Sequence, residues 1–242
     1  MRPIGFSTGA IAKGDFQRAL RLLRKFRLDA IELSALRVDE LQPLIIALPT
    51  LDLTPFNFVS IHAPSHFDRR LEPSIVEALI DLSPSFPVVV HPDVIFTARL
   101  WEQLGCRLLI ENMDKRKPVG RTVPELDHFF QILPQARFCF DIGHARQVDP
   151  SMTEAVLILR EFGDRLAEVH ISEVNTSSRH DPISTSAARA FQSVSKYIPE
   201  DIPIIVESLI DEGQSDIPTE GESARVALAH WPPALSVRRE FA

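Results

Sequence analysis

Seven short apolar runs in this 242-residue chain end on, or just beside, a side chain able to ligate a metal. FVSIH ends at His62, VVVH at His91, LLIE at Glu111, and FCFD at Asp141 with His144 three residues on. EVH ends at His170 and IIVE at Glu207, while ELS with its Glu32 is a weaker seventh. Two or three carboxylates beside one neutral imidazole suit magnesium, manganese, cobalt or zinc. Burying Glu111, Asp141, His170 and Glu207 side by side without a cation would be strongly unfavourable. These four are therefore read as the core of a divalent-metal site. His62 and His91 offer a second donor group next to Glu111. The glycine of DIGHA permits a tight turn that lets Asp141 and His144 face one cavity. His144 is read either as a ligand or as an acid–base group. His180, in the loop NTSSRHDPIS, is a further candidate ligand, and one to three ions per chain are expected.

The elements that must position these groups follow from the hydropathy pattern. Strands buried in a parallel sheet read as continuous apolar runs. Eight such runs lie near residues 4–7, 30–34, 58–62, 87–91, 107–111, 137–141, 167–172 and 203–207. They alternate with amphipathic stretches at 15–26, 72–82, 124–133, 153–162 and 184–197, the first with Asp15 as its N-cap. The alternation implies βαβ units. Eight repeats in this length fit a single (β/α)8 TIM barrel spanning residues 1–242, with the site at the C-terminal ends of the strands. An open doubly wound sheet usually carries a glycine-rich turn after its first strand, and STGAIAKG lacks the GxGxxG spacing.

Composition bounds the partners. Hydrophobic residues make up 45% of the chain, ample for a core, and the net charge is −7. That balance provides no general attraction to nucleic acid or anionic membrane. No apolar run reaches the roughly 18 residues of a membrane-spanning helix, and MRPIGFSTGAI has no signal-peptide pattern. Cys106 and Cys139 sit in or beside apolar runs, so both are read as buried thiols and the chain as cytoplasmic. Asn112 and Arg121 are candidate substrate contacts. The group Lys115, Arg116, Lys117 and Arg121 has two readings, a phosphate handle or a solvated charge run. Asp93, Glu173 and Glu32 are candidates for orienting neighbouring ligands. His128 is read as a surface residue and His66 as a minor candidate for substrate contact. Oligomeric state has no signal in the sequence.

In strand order, IHAPS, VVVHPD, LLIENMD, FDIGHA, EVHISE and IVES resemble the strand-end motifs of the xylose-isomerase-like TIM barrels. That group includes sugar isomerases and epimerases and endonuclease IV. The resemblance spans essentially the whole chain. Its endonuclease IV branch implies a three-zinc phosphodiesterase centre on His62, His91, Glu111, Asp141, His144, His170, His180 and Glu207. That family carries Asp two residues before the last loop histidine, where this chain has Ser178, leaving Asp181 as the substitute. The isomerase and epimerase branch implies one divalent ion on Glu111, Asp141, His170 and Glu207. There Glu111 and Glu207 exchange a proton beside a carbonyl, and Glu173 and Asn175 of H-x-x-E-x-N contact substrate. The arginine that those enzymes place next is Thr176 here. Acidic charge and short loops put isomerisation of a small sugar or sugar phosphate first. A zinc phosphoesterase stands second and a metabolite-binding barrel third.

Overall fold

The structure is a computed structural model describing residues 2–82, 86–210 and 217–229. Its strands are β1 (Ile4–Ser7), β2 (Ala30–Ser34), β3 (Phe58–His62), β4 (Val88–Val90) and β5 (Leu108–Glu111). They continue with β6 (Arg137–Asp141), β7 (Leu166–Ile171), β8 (Glu173–Val174), β9 (His180–Asp181) and β10 (Ile204–Val206). Eight of them close a parallel barrel in the order β1-β10-β7-β6-β5-β4-β3-β2, and β8 and β9 form a small antiparallel pair. The (β/α)8 TIM barrel expected from the alternation is therefore the observed fold. The β8–β9 pair was not anticipated.

Apolar side chains on both faces of the strands hold this arrangement. The outward-facing side chains meet helices through residues such as Leu23, Leu44, Leu79, Phe130, Ile158 and Phe191, all in one buried cluster. Each such side chain contributes about 1.5–3 kcal/mol through burial. Asp15 caps the helix Phe16–Leu23 as expected, its Oδ1 accepting from the Arg18 amide at 2.8 Å. The helix Val38–Ala47, interrupted in sequence by Pro43, was not anticipated. Closure between β1 and β2 depends on Gly5, where a Cβ would lie 1.8 Å from the Ala30 carbonyl oxygen.

One reading of the sequence needs correction. Cys139 is buried, but Cys106 is exposed, and both are free thiols. Cys106 follows Gly105, whose φ of 55° turns the chain before it enters β5. No helix among the described residues is long and apolar enough to cross a membrane.

Candidate metal centre

Side chains two apart on a strand share a face, so the run that ends at a ligand also fixes what lies beneath it. Ser60 underlies His62, Leu109 underlies Glu111, Cys139 underlies Asp141 and Glu168 underlies His170. Asp141 is fixed further by capping the helix Ile142–Val148, with its Oδ1 accepting from the His144 amide at 2.7 Å. That first turn brings His144 back over Asp141. Gly143 serves this by close approach rather than by a special turn: a Cβ there would lie 2.5 Å from the Ser172 carbonyl oxygen.

Glu111 is the hub of the cluster. Its Oε2 lies 3.3 Å from His62 Nε2 and 3.2 Å from His91 Nε2. Its Oε1 lies 3.4 Å from His144 Nδ1 and 3.5 Å from His170 Nδ1. Glu207 reaches His170 Nδ1 at 3.5 Å and His180 Nδ1 at 3.4 Å. Five groups of donors lie close enough to hold an ion: His62/His91/Glu111, Glu111/Asp141/His170/Glu207 and Asp141/His144/His180, together with Glu32/Glu168/His170 and Glu32/His62/Glu207. Within each group the ligating atoms lie within 4.8 Å of one another. Glu111 belongs to two groups and so does Asp141. All eight expected ligands are thus gathered, and Glu111 and Asp141 are each common to two of the first three groups.

The donor chemistry fits divalent ions. His170 Nδ1 and Asp141 Oδ2 are buried with no hydrogen-bond partner among the described residues. A cation would satisfy such atoms, which are otherwise costly to bury. His62 Nδ1 lies 2.7 Å from the Ala63 carbonyl oxygen and His144 Nδ1 2.9 Å from that of Asn112. Each ring donates Nδ1–H there and keeps Nε2 as the nitrogen able to ligate.

Protonation in the metal-free cluster reflects the crowding of charge. Burial alone would lower His62, but Glu32 and Glu111 carry it up to about 9. Burial lifts Glu207 to about 8 against the pull of His170, aided by repulsion from Glu111, Glu32 and Asp141. Burial would raise Glu111 too, but His91, His170 and His62 outweigh it and hold the carboxyl well below the usual range. His180 falls to about 4 through burial and the neighbouring charge of His144. Protons here occupy positions that metal ions would otherwise neutralise.

The expected substrate contacts each make bonds within the protein. Asn112 is fully buried. It donates to the Asp141 carbonyl and accepts from the Asp141 amide, both at 2.8 Å, which locks the end of β5 to the end of β6. Arg121 forms a two-pronged pair with Glu125, at 2.6 and 3.1 Å. Glu173 pairs with Arg146 at 3.0 Å, and Asn175 donates to Asp181 at 2.8 Å. Lys117 is held by Asp93 at 2.8 Å. Asp181 joins none of the donor groups and faces Arg179 at 3.2 Å. His66 and His128 are exposed and outside the cluster. Sequence reasoning missed Glu168, which belongs to a further group with Glu32 and His170. The period-2 spacing of EVH carried that signal.

Neither a protein-family model nor a curated protein matches the chain. Among solved structures it is similar to endonuclease IV from Thermus thermophilus, at 19% identity and a TM-score of 0.56. That match covers 93% of this chain and 97% of the other. It is also similar to a type I 3-dehydroquinate dehydratase from Clostridium difficile, at 11% identity and a TM-score of 0.55. That match covers 93% of this chain and 91% of the other. At these identities the likeness establishes the barrel fold alone.

Proposed function

We propose that this chain is a metal-dependent hydrolase of small phosphoesters with a polynuclear centre. The observation that carries the reading is the sharing of Glu111 and Asp141 between adjacent donor groups. A single-ion site would leave His62, His91, His144 and His180 without a task. The order of the two enzyme readings is therefore reversed from that suggested by the sequence alone. His62, His91 and Glu111 would hold one ion, and Glu111, Asp141, His170 and Glu207 a second. Asp141, His144 and His180 would serve a third. Bound ions supply an activated water and polarise the phosphoryl oxygen.

The protein's own groups orient this chemistry. Ala63 and Asn112 hold the His62 and His144 rings through backbone carbonyls, and the Asn112 amide keeps Asp141 in register. Glu207 and His180 are the partly exposed members of the second and third groups, at 13% and 24%, and form the side of the cluster open to substrate. A small substrate is favoured over DNA. The chain is acidic, and Lys117, Arg121 and Arg146 are engaged by Asp93, Glu125 and Glu173, whereas DNA binding depends on many phosphate contacts from Lys and Arg.

One observation favours isomerisation as a second reading. In the metal-free fold Glu111 is held well below the usual carboxylate range and Glu207 is raised to about 8, and a carboxylate pair pushed apart in this way suits proton transfer. The test is an assay of zinc-, manganese- and cobalt-loaded protein against p-nitrophenyl phosphate, bis-p-nitrophenyl phosphate, an abasic-site duplex and a set of ketoses in D2O. Phosphomonoester or small diester hydrolysis supports the first reading. Deuterium incorporation into a ketose without hydrolysis overturns it in favour of the second. An active Glu207→Gln enzyme would sink both.

A further inference from the structure

We propose that Glu168 and Glu32 are positioning residues for His170, Glu168 accepting its Nε2–H from beneath and Glu32 adding its charge beside that bond, and that they thereby present Nδ1 to the metal. The inference rests on reading His170 as a ligand and assigns the two carboxylates that reading leaves without a task. His170 is fully buried, as are Glu32 and Glu168. Its ring stands between two pairs of acids. Nδ1 faces Glu111 and Glu207, each at 3.5 Å. Nε2 faces Glu168 Oε1 at 3.3 Å in an aligned hydrogen bond, with Glu32 Oε2 at 3.2 Å beside it.

Both acids are tethered by hydroxyls. Ser60 donates to Glu168 Oε1 at 2.9 Å, crossing the barrel between strands β3 and β7, which stand opposite each other in the ring. Ser34 donates to Glu32 Oε1 at 3.0 Å, and Ser7 and Ser34 lie 2.6 Å apart through their hydroxyls. The Glu32 and Glu168 side chains each keep one oxygen without a hydrogen-bond partner among the described residues. A buried carboxylate in that condition is costly, and its cost is offset by what it does for the ring beside it. A metal-ligating imidazole whose other N–H meets a carboxylate is fixed in tautomer and orientation and becomes a stronger donor. His62 and His144 instead have backbone carbonyls at the second nitrogen, and His180 Nδ1 lies 2.9 Å from the Ser172 hydroxyl. The pair beneath it singles out His170 as the most firmly oriented donor of the cluster.

The experiment uses the full chain labelled with 15N-histidine, titrated with Zn2+ against a chelator and read by long-range 1H–15N correlation. In the zinc-loaded wild type, His170 should carry its proton on Nε2 and show a metal-shifted Nδ1. Glu168→Gln should weaken zinc binding by about 10–100-fold and move the His170 ring resonances, and Glu32→Gln should do so more weakly. Ser60→Ala leaves both carboxylates in place and loosens only the tether. It should shift the same resonances in the same direction, and it carries the test if a charge variant fails to fold. Unchanged affinity and ring resonances in both Glu168→Gln and Ser60→Ala, with zinc still bound, would overturn this inference alone. So would a zinc-loaded wild type with the His170 proton on Nδ1. A wild type that takes up no zinc would overturn the metal centre itself, and this inference with it.

Discussion

Two halves of the barrel interior differ in what lies under the ligands. Beneath His91, Glu111 and Asp141 are Val89, Leu109 and Cys139, which with Ala167 form a separate buried apolar cluster. Beneath His62 and His170 are Ser60 and Glu168, bonded to each other at 2.9 Å, with Glu32 and Ser34 alongside on β2. The apolar half offers only the Cys139 thiol as a polar group, beside His170, so its candidate ligands are oriented from above. Asn112 bridges β5 to β6, and Asp141 is held by the helix it caps. The polar half reaches up to orient His170 from below. One side of the interior therefore bears on packing, while the other spends buried polar groups on the site and is less stable for doing so.

Substitutions that separate these two duties sharpen the comparison. The largest effect should come from Glu111→Gln, because Glu111 joins both halves. Metal content by elemental analysis should collapse, and with it all activity. Retention of the full metal complement would break the account of Glu111 as the hub. His62→Ala should remove about one ion per chain and cripple hydrolysis, since His62 belongs to the first donor group; an undiminished turnover would point to the one-ion isomerase instead. On the apolar side, Leu109→Ala should cost about 2–5 kcal/mol in denaturant unfolding while leaving the metal stoichiometry unchanged. A changed stoichiometry would show that the apolar half also orients ligands.

The polar half should also reveal itself through pH. His62 is raised to about 9 and Glu207 to about 8 in the metal-free fold. Both bind protons more tightly folded than unfolded, so their contribution to stability is lost as pH rises through those values. The Tm of the metal-free protein should therefore fall between about pH 6.5 and 9. The increment on adding Zn2+ should grow over the same window, because the ion displaces those protons. A flat metal-free profile would contradict the charge crowding. The smallest effect should be that of Arg121→Ala, which breaks a partly exposed pair worth about 1 kcal/mol or less and should leave kcat/KM on a phosphomonoester unchanged. A large rise in KM would restore Arg121 as a phosphate contact.

The sequence made the barrel and its rim legible because most of the barrel strands are short, largely apolar runs that end on or beside a candidate ligand. It was less informative where the signal is local or cancelled. Pro43 hid the helix Val38–Ala47, and β8 and β9, two residues each, are too short to show a period. Arg121 read as a candidate substrate contact, and its pairing with Glu125, four residues on, went unread. Glu168 was passed over as the flank of a motif, since a lone acid in a strand names its partner only once the barrel brings β3 and β2 against β7. Cys106 was misread because adjacency to an apolar run says nothing about the turn at Gly105.

The most direct test of the polynuclear centre is the metal content of the full-length protein purified without chelators or affinity metals. We expect two or three ions per chain, matching the three donor groups built on Glu111 and Asp141. One ion, or none after loading with Zn2+, would contradict it.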